Sequence, residues 1–323
     1  MAAEKITMEE IMQMDLPPII LYAIPVMVFL VLVEYLISVY QKKKVYVGKD
    51  LLASALVGAG NLVVSAGVKL MLFSIVLFFY NLVPWRIPHT WWSYVLCIVA
   101  IDFCRYWAHR LAHHQNFWWA THVTHHSSEQ YYFGVSFRLS WVQHIKVIFF
   151  IPAILCGFNP FVFFICHQIE ILYQFWIHTE FIRKLPAPIE YIFTTPSHHR
   201  VHHAINEKYI DKNYGSTFIF WDRMFGTFQQ EEEQPIYGIT TPVKSYNPVY
   251  LVFHIWIDIF RDLRDSKTWS ERWKILFGKP GTHNKEAAMK LAPTKLGEAK
   301  AVEKEISSGE LERSAEQQIV QAA

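Results

Sequence analysis

The chain has 323 residues, of which 52% are hydrophobic and 16% are aromatic, and its formal net charge is +2. The apolar share exceeds that of an ordinary soluble domain, and there is no basic tract interleaved with aromatic residues to support nucleic-acid binding. The four cysteines, Cys97, Cys104, Cys156 and Cys166, lie in apolar stretches without a CxxC pair, so we expect small core residues rather than disulfides or a thiolate zinc site.

The first predicted element is a membrane-spanning helix over Pro18 to Tyr40, whose only charged residue is Glu34. Its length meets the ~20 residues that a bilayer crossing requires. The seventeen residues before it carry four acids and no basic stretch, so a cleavable signal peptide is not expected. A second apolar run, Leu51 to Trp85, is longer than one simple span and contains three glycines, which predicts either a tilted helix or a kinked one.

Two further apolar regions complete the predicted bundle. Trp91 to His109 predicts a third span. The region Lys146 to His178 is divided by the turn signal Gly157-Phe158-Asn159-Pro160, which predicts a hairpin of two helices whose first arm begins near Ser136. The expected fold is therefore all-α, a multi-span integral membrane helical bundle of about five spans with a cytosolic, histidine-rich helical cap.

The basic residues between the apolar runs fall on one side of this bundle, and the positive-inside rule assigns that side to the cytosol. The opposite side holds the N-terminus, the Pro84 to Pro88 loop and the Asn159 turn. Both histidine-rich stretches then face the cytosol. The basic residues that decide the orientation are Lys42 to Lys44, Lys49, Arg110, Arg183, Lys184 and Arg200.

The C-terminal part of the chain is less apolar. Tyr250 to Asp262 predicts a helix with one apolar face, which either packs in the cytosolic cap or lies in the membrane interface. Aromatic residues vanish after Gly281, so a disordered tail is expected. The predicted regions are 1–108 with the N-terminal transmembrane helices, 109–232 with the histidines and a transmembrane hairpin, 233–280 with cytosolic or interfacial helices, and 281–323 as the tail.

The distribution of histidine carries the functional signal. Eleven of the sixteen histidines fall in two short windows, 109–126 and 178–203. Positions i, i+3 and i+4 share one face of a helix, so each HxxxH or HxxHH set is expected to point its imidazoles together. The predicted metal ligands are His109, His113, His122, His125, His126, His178, His199, His202 and His203.

Nine imidazoles are too many for one ion, so two metal ions are the economical interpretation. Neutral imidazole binds iron, zinc, copper and nickel. Carboxylates are sparse and thiolates absent near the cluster, which argues against a ferritin-like site or a thiolate zinc site. A nitrogen-rich pair of redox metals at a membrane face favours oxygen activation against a lipid. His114 and His198 neighbour predicted ligands but lie off their helical faces, so their roles stay open.

Several polar residues are candidates for supporting roles. Asp102 and Arg105, one helical turn apart in the third span, are expected to form an ion pair. Glu170 and Gln174 share a helical face with His178, which predicts either an interhelical hydrogen-bond seam or a polar wall that leads to the metals. Glu170 and Gln174 are thus candidate partners of the ligand histidines.

Asp211, Asn213 and Tyr214 follow the last histidine pair closely. We expect them to orient ligand imidazoles through the second ring nitrogen, with Asp211 as a direct ligand as the alternative. Aromatic residues expected to anchor the membrane interface are Trp118, Trp119, Tyr131 and Tyr132. Isolated histidines expected to be ordinary core residues are His89, His144, His254 and His283.

The histidine-rich segments resemble the fatty acid hydroxylase and sterol desaturase superfamily of membrane di-iron oxygenases. The resemblance covers residues 18–260 and is strongest to the alkylglycerol monooxygenases, the tetrahydrobiopterin-dependent branch that cleaves ether lipids. The segments that carry it are HRLAHH, THVTHHSSEQYY, LYQFWIHTE, TPSHHRVHH and IDKNYGSTFIFWDRMFGTF.

This resemblance implies two iron ions, a lipid substrate, and hydroxylation of the carbon beside an ether oxygen. It also implies tetrahydrobiopterin as a candidate reductant, although the residues leave the electron donor open. His114 stands where that branch often has Glu, and is the candidate for a pterin contact. Other hydroxylases of the superfamily often have a histidine at the position of Gln174, and the glutamine here agrees with the ether-cleaving branch. The expected location is the endoplasmic reticulum in a eukaryote or the inner membrane in a bacterium.

Two alternatives stay open at this point. One is hydroxylation or desaturation of a fatty acyl or sterol chain by the same chemistry. The other is a membrane protein that uses the histidines only to bind or transport metal. Transport would favour ligands along the spans, whereas the histidines crowd at their cytosolic ends.

Overall fold

The computed structural model describes residues 5–281, and this part of the chain is helical, with two isolated β-bridges as its only strand-like pairings. The all-α prediction is therefore confirmed for it. The predicted disordered tail lies, from residue 282 onward, outside the described residues, and so does His283. The helices are α1 (Met8–Gln13), α2 (Ile19–Tyr40), α3 (Gly48–Leu82), α4 (Trp91–His114), α5 (Asn116–Trp119), α6 (Val123–His126), α7 (Ile151–Leu155), α8 (Pro160–Trp176), α9 (Ala187–Ile192), α10 (Pro196–His202), α11 (Phe220–Met224), α12 (Pro248–Asp265) and α13 (Trp269–Phe277).

Within residues 5–281, two helices are long and apolar enough to cross a membrane, namely α2 with 22 residues and α3 with 35. Helix α3 runs without interruption through its glycines. An added Cβ on Gly60 would lie 2.5 Å from the Trp141 ring, and one on Gly58 would lie 3.1 Å from Phe137. These two glycines therefore do not bend the helix. They let the segment around residues 137–141 pack directly on its backbone.

The predicted first arm of the hairpin is wrong. Instead of a helix from Ser136, the chain forms two 3-10 segments, Phe133–Phe137 and Gln143–Phe150, before the short helix α7. Hydrogen bonds to α3 interrupt the predicted helix at residues 140–141, between the two 3-10 segments. The Trp141 indole N–H donates to the Val57 carbonyl at 2.9 Å, and the Asn61 amide donates to the carbonyl of Ser140 at 3.1 Å.

The turn between the hairpin arms is confirmed. Gly157 adopts a positive φ of 83°, which favours glycine. The Asn159 side chain accepts a hydrogen bond from the Phe161 N–H at 2.8 Å, and Pro160 occupies the first position of α8. The chain therefore caps and restarts the helix as the local sequence predicts.

Helix α4 lies against α8 and the 143–155 segment, and their contact forms the largest buried apolar cluster. Cys97, Cys104 and Cys166 belong to it as free thiols, as expected, whereas the free thiol Cys156 is exposed. This packing fixes the helix that carries the first two histidines. The buried residues of the cluster are Val76, Tyr80, Cys97, Ile101, Cys104, Phe150, Ala153, Ile154, Phe158, Val162, Phe163 and Cys166.

The predicted ion pair between Asp102 and Arg105 is wrong. Asp102 is fully buried and accepts hydrogen bonds from the backbone N–H groups of Thr217 and Phe218 at 2.7 and 3.1 Å, and from the Trp221 indole at 2.9 Å. Arg105 reaches across to Glu170 on α8 at 3.1 Å. Buried backbone N–H groups need a hydrogen-bond acceptor. The Asp102 carboxylate therefore binds the 217–221 segment and not Arg105, the partner that sequence spacing predicts.

Helix α12 packs on α3 through Leu251 and Val252, while Ile259 contacts Ala120 and Ile275. Its predicted apolar face is only partly buried, because the Phe260 side chain is 66% exposed.

Candidate metal centre

The nine predicted ligand histidines converge into two groups. In each group, one ring nitrogen from every histidine lies within 4.8 Å of the others. The five-histidine group consists of His109, His113, His122, His126 and His202. The four-histidine group consists of His125, His178, His199 and His203.

The division cuts across the sequence motifs. Within each HxxHH motif the i, i+4 pair stays together, as His122 and His126 do in one group and His199 and His203 in the other. The i+3 histidine, His125 or His202, joins the opposite group. Each motif thus contributes two ligands to one group and one to its neighbour. The expectation that each motif points all its imidazoles at one place is therefore wrong.

In the four-histidine group the Nε2 atoms form a closed ring. His178 lies 3.1 Å from His125 and 3.0 Å from His199, and His203 lies 3.1 Å from each of the same two. A metal–nitrogen bond of about 2.0–2.1 Å separates neighbouring nitrogens by about 2.8–3.0 Å at a right angle and by about 3.3–3.4 Å in a tetrahedron. The ring edges of 3.0–3.1 Å lie between these two ranges and nearer to the right-angle one, so the four nitrogens are spaced as ligands of a single metal ion would be.

The five-histidine group is more open. The Nε2 atom of His126 lies 3.2 Å from those of His122 and His202. The Nε2 atoms of His109 and His113 are buried without a hydrogen-bond partner within the part of the chain described. A buried nitrogen lone pair without a partner costs about 1–3 kcal/mol, and a bound cation would satisfy both.

Backbone carbonyls orient three of the rings. The Nδ1–H groups of His109, His178 and His202 donate to the carbonyls of Tyr214, Gln174 and Lys212 at 2.8, 2.6 and 2.9 Å. Each neutral ring then presents an unprotonated Nε2 to its group, which is the state a metal requires.

The segment 211–214 is shaped to deliver two of these carbonyls. Asp211 and Asn213 adopt positive φ angles of 60° and 54°. Asn and Asp are the side-chain-bearing residues that most readily adopt this conformation. The prediction that Asp211, Asn213 and Tyr214 orient ligand imidazoles agrees with these contacts for Tyr214 alone, through its backbone carbonyl, because the second carbonyl belongs to Lys212.

The ligand imidazoles on or next to the short helices α6 and α10 are neutral. Burial lowers the pKa of His122, His125, His126, His199 and His203 well below the ordinary histidine value, and the neighbouring imidazoles lower it further. A protonated imidazole cannot bind a metal, so this shift favours ligation.

The other predicted supporting residues have different contacts. Glu170 pairs with Arg105, and the Gln174 side chain donates to the Glu170 carbonyl at 3.2 Å. Asp211 lies 4.0 Å from the Nδ1 atom of His113 and 3.0 Å from the Lys279 ammonium. Of these side chains, Asp211 is the one within reach of a group imidazole.

His114 and His198 lie outside both groups. His114 is exposed at the end of α4, and its Nε2 lies 3.3 Å from the Tyr214 hydroxyl. His198 is buried with its Nε2 3.0 Å from Glu190. Burial raises the pKa of Glu190, but hydrogen bonds from His198, the Leu185 N–H and Ser197 outweigh it and hold this pKa at about 2.

Glu190 was not evident from the sequence, although the TPSHH segment signals a capped helix there. Its carboxylate also accepts from the Thr195 hydroxyl at 2.8 Å and the Ser197 hydroxyl at 2.7 Å. It therefore clamps the first turn of α10, the helix that carries His199 and His202.

The expectation that Tyr131 and Tyr132 anchor the membrane interface is wrong, and Trp118 is buried as well. Tyr131 and Tyr132 are fully buried, and the Tyr131 ring lies 5.3 Å from that of His203. The Trp119 ring lies 5.2 Å from that of His113. The side chains of Tyr131 and Trp119 form part of the wall around the two groups. The isolated histidines have other partners. His144 contacts Ser65, and the buried His254 contacts the Leu251 carbonyl. The expectation that His89 is a core residue is wrong, because it is exposed beside Tyr94.

Residues 94–227 match the Fatty acid hydroxylase family model. This part of the chain is similar to that family. The matched fatty acid hydroxylase region contains all nine histidines, whereas α2 and α3 lie outside it.

Four relatives are named alkylglycerol monooxygenase, among them the following two. The Xenopus tropicalis protein is 43% identical over 199 residues, and the Homo sapiens protein is 40% identical over 205 residues; each match covers 61% of this chain and 44% of the relative. Methylsterol monooxygenase 1 of Rattus norvegicus is 30% identical over 157 residues, which cover 44% of this chain and 52% of the relative. The chain thus spans about half the length of the curated relatives it matches. No solved structure matches the chain.

Proposed function

We propose that this protein is a membrane-bound di-iron oxygenase that hydroxylates a lipid C–H bond and cleaves the ether bond of alkylglycerol-type lipids. The observation that carries the proposal is the pair of histidine groups, each with ring nitrogens that converge within 4.8 Å. The relatives named alkylglycerol monooxygenase support the choice of substrate.

The donor set fits two iron ions. His109, His113, His122, His126 and His202 would hold one, and His125, His178, His199 and His203 the other. All nine donors are neutral nitrogens, and the ring edges of 3.0–3.1 Å in the four-histidine group favour neighbouring ligands at right angles. Iron, when bound, would supply the activation of dioxygen that a C–H oxidation requires.

The protein's own residues would hold and orient these ligands without taking part as a nucleophile. The carbonyls that fix three imidazole rings keep their Nε2 atoms unprotonated and aimed at the groups. Buried aromatic rings such as Tyr131 exclude water from the same volume. A site with this wall suits an apolar substrate and a reactive oxidant.

The proposed reaction balances with one dioxygen, two electrons and two protons. One oxygen atom enters the C–H bond beside the ether oxygen, and the other leaves as water. The resulting hemiacetal breaks its bond to the glycerol oxygen without further oxidation, which releases a fatty aldehyde and a free hydroxyl on glycerol. The electrons come from an external donor, with tetrahydrobiopterin as the proposed class.

We further propose that the chain crosses the membrane several times, with both histidine groups on the cytosolic side. Helices α2 and α3 support this, because large apolar side chains cover their exposed surface, such as Phe29 at 61% and Val63 at 73% exposure. The membrane would be the endoplasmic reticulum in a eukaryote or the inner membrane in a bacterium. Apolar helices around the site would admit a lipid chain without passage through water.

A product assay tests this function. Membranes that contain the protein, supplied with an alkylglycerol, oxygen and reduced tetrahydrobiopterin, should release a fatty aldehyde. The ester-linked analogue should not, because the acyl carbon beside its linking oxygen is already a carbonyl. The His113→Ala variant is the inactive control. Oxygen incorporated into a free fatty acid or sterol, with no aldehyde from the ether lipid, would refute ether cleavage and favour the hydroxylase alternative, for which the methylsterol monooxygenase relative is a precedent.

Metal binding without catalysis is the second alternative. Oxygen consumption that depends on both lipid and reductant would contradict it. Conversely, a protein that binds two metal ions but consumes no oxygen with any lipid class would refute the oxygenase proposal.

A further inference from the structure

Two buried carboxylates from outside the matched region bind the chain segments that carry ligand histidines. Glu34 on α2 and Asp50 in the first turn of α3 are 2% and 4% exposed, although both belong to otherwise apolar helices. An acidic residue in such a helix is costly and is retained where it has a specific partner. In each case one partner lies within two residues of a ligand histidine along the chain: Thr179 follows His178, and Ser128 is the second residue after His126.

Glu34 holds the residue after His178. The Thr179 hydroxyl donates to its Oε1 atom, while the Tyr46 hydroxyl and the Phe133 N–H, at 2.8 Å, donate to its Oε2 atom. Thr179 is completely buried. The peptide that carries His178 is therefore tied to α2 through a single side-chain hydroxyl.

Asp50 holds the segment after His125 and His126. The Ser128 and Tyr132 hydroxyls donate to its Oδ2 atom at 2.9 and 2.7 Å. Arg138 links Asp50 to Ser127. Its Nη2 atom donates to Asp50 Oδ1 at 2.6 Å, and its Nη1 atom donates to the Ser127 hydroxyl at 2.8 Å. Ser127 and Ser128 are the next two residues after the histidine pair His125 and His126.

The two clusters adjoin each other. The ring of Tyr46, which donates to Glu34, lies 4.3 Å from that of Tyr132, which donates to Asp50. Together they form one buried polar layer between the two long apolar helices and the backbone that carries His125, His126 and His178.

We infer that Glu34 and Asp50 are positioning residues of the metal centre, an inference that rests on the proposed binding of two metal ions. Glu34 acts through Thr179 on His178, which belongs to the four-histidine group alone. Asp50 acts on His125 and His126, which belong to different groups. Loss of Glu34 should therefore weaken one metal site, and loss of Asp50 should weaken both.

If Glu34 and Asp50 only held α2 and α3 against the rest of the protein, their loss would lower stability without weakening a particular metal site. Asn61 provides the matched comparison. It is 6% exposed on α3, and its amide donates to the Ser140 carbonyl at 3.1 Å. It tethers the same helix to the same stretch of chain, but neither it nor Ser140 adjoins a ligand histidine.

The experiment uses the full chain in detergent, loaded with two ferrous ions, and follows iron release to a chelator together with thermal unfolding. In Glu34→Gln and Thr179→Val, one ion should be released more readily, with affinity reduced roughly 10- to 100-fold, while the other keeps its wild-type rate. In Asp50→Asn, both ions should be released more readily. In Asn61→Ala, both release rates should match those of the wild type despite a lower Tm.

Release rates in Glu34→Gln and Thr179→Val that match those of Asn61→Ala would overturn the inference, while the two-ion loading of the wild type would leave the proposed metal centre intact. A wild type that holds no ions would overturn both. If Asp50→Asn does not accumulate, the double variant Asp50→Leu with Arg138→Leu removes both buried charges together, which is better tolerated than the loss of one. Wild-type release of both ions from that double variant would also overturn the inference.

Discussion

Replacement of Asn213 by alanine should remove iron from the five-histidine group and leave the four-histidine group loaded. Asn213 is completely buried, and its side chain donates to the carbonyls of His198 and Gln229 at 3.1 and 2.7 Å. It also accepts from the Gln229 N–H at 2.8 Å. The residues on either side supply the carbonyls that orient His202 and His109, and both of these histidines belong to the five-histidine group.

The size of the effect follows from these contacts. Three hydrogen bonds contribute about 1 kcal/mol each, and the left-handed backbone at a φ of 54° costs alanine about 1–2 kcal/mol. The segment therefore loses about 4–5 kcal/mol of local stability. This is enough to release the two carbonyls from their positions.

The assay is the ratio of iron to protein after gel filtration of the full chain in detergent. We expect this ratio to fall from near two ions to near one in Asn213→Ala. Asn206→Ala is the matched control. The Asn206 amide also makes three hydrogen bonds, to Glu233, the Gln234 carbonyl and the Ile236 N–H, but none adjoins a carbonyl that orients an imidazole.

An Asn213→Ala protein that keeps two ions would refute the reasoning, and so would an Asn206→Ala protein that loses one. Equal loss from both variants would mean that global stability, and not the position of the two carbonyls, governs metal retention.

Three further predictions follow from the same structure. Alanine at any of the nine histidines should abolish turnover and lower metal content, whereas His144→Ala and His254→Ala should keep both; three or more active, fully loaded variants among the nine would contradict the ligand assignment. Metal-free protein should lose stability as pH falls below about 6.5, because unfolded imidazoles then bind protons that the buried ones refuse; chemical denaturation between pH 8 and 5 measures this, and a flat profile would contradict it. Gly60→Ala should lower the thermal unfolding temperature because its Cβ would lie 2.5 Å from the Trp141 ring, whereas Gly67→Ala, with open space around it, should not; equal behaviour of the two variants would argue against close packing at Gly60.

Much of the helical framework could be read from the sequence. The apolar run from Pro18 to Tyr40 became α2 almost residue for residue, and the Gly157 to Pro160 turn signal ended and restarted the hairpin as expected. These features depend on local chemistry, namely run length, proline, glycine and a capping asparagine. The first arm of the hairpin failed because hydrogen bonds from α3 to the 140–141 region override its local pattern.

The partners of buried charges could not be predicted in the same way. Sequence spacing predicts an ion pair between Asp102 and Arg105. Instead, the Asp102 carboxylate accepts hydrogen bonds from the 217–221 segment, and the Arg105 guanidinium pairs with Glu170. Both true partners lie more than sixty residues away along the chain. Helical periodicity describes only neighbours on the same helix, so such pairings depend on how the helices pack.

The sequence by itself determined which histidines come together, because imidazoles at helical spacings in two short windows predict a shared metal centre. Only the tertiary structure decided how they divide. His125 and His202 leave their own motifs for the opposite groups, and the carbonyls of Lys212, Tyr214 and Gln174 fix which ring nitrogen faces each group. The physical reason is that α6 and α10 are short, with 4 and 7 residues, so the direction of each ring is set by contacts between segments and not by the helix that carries it.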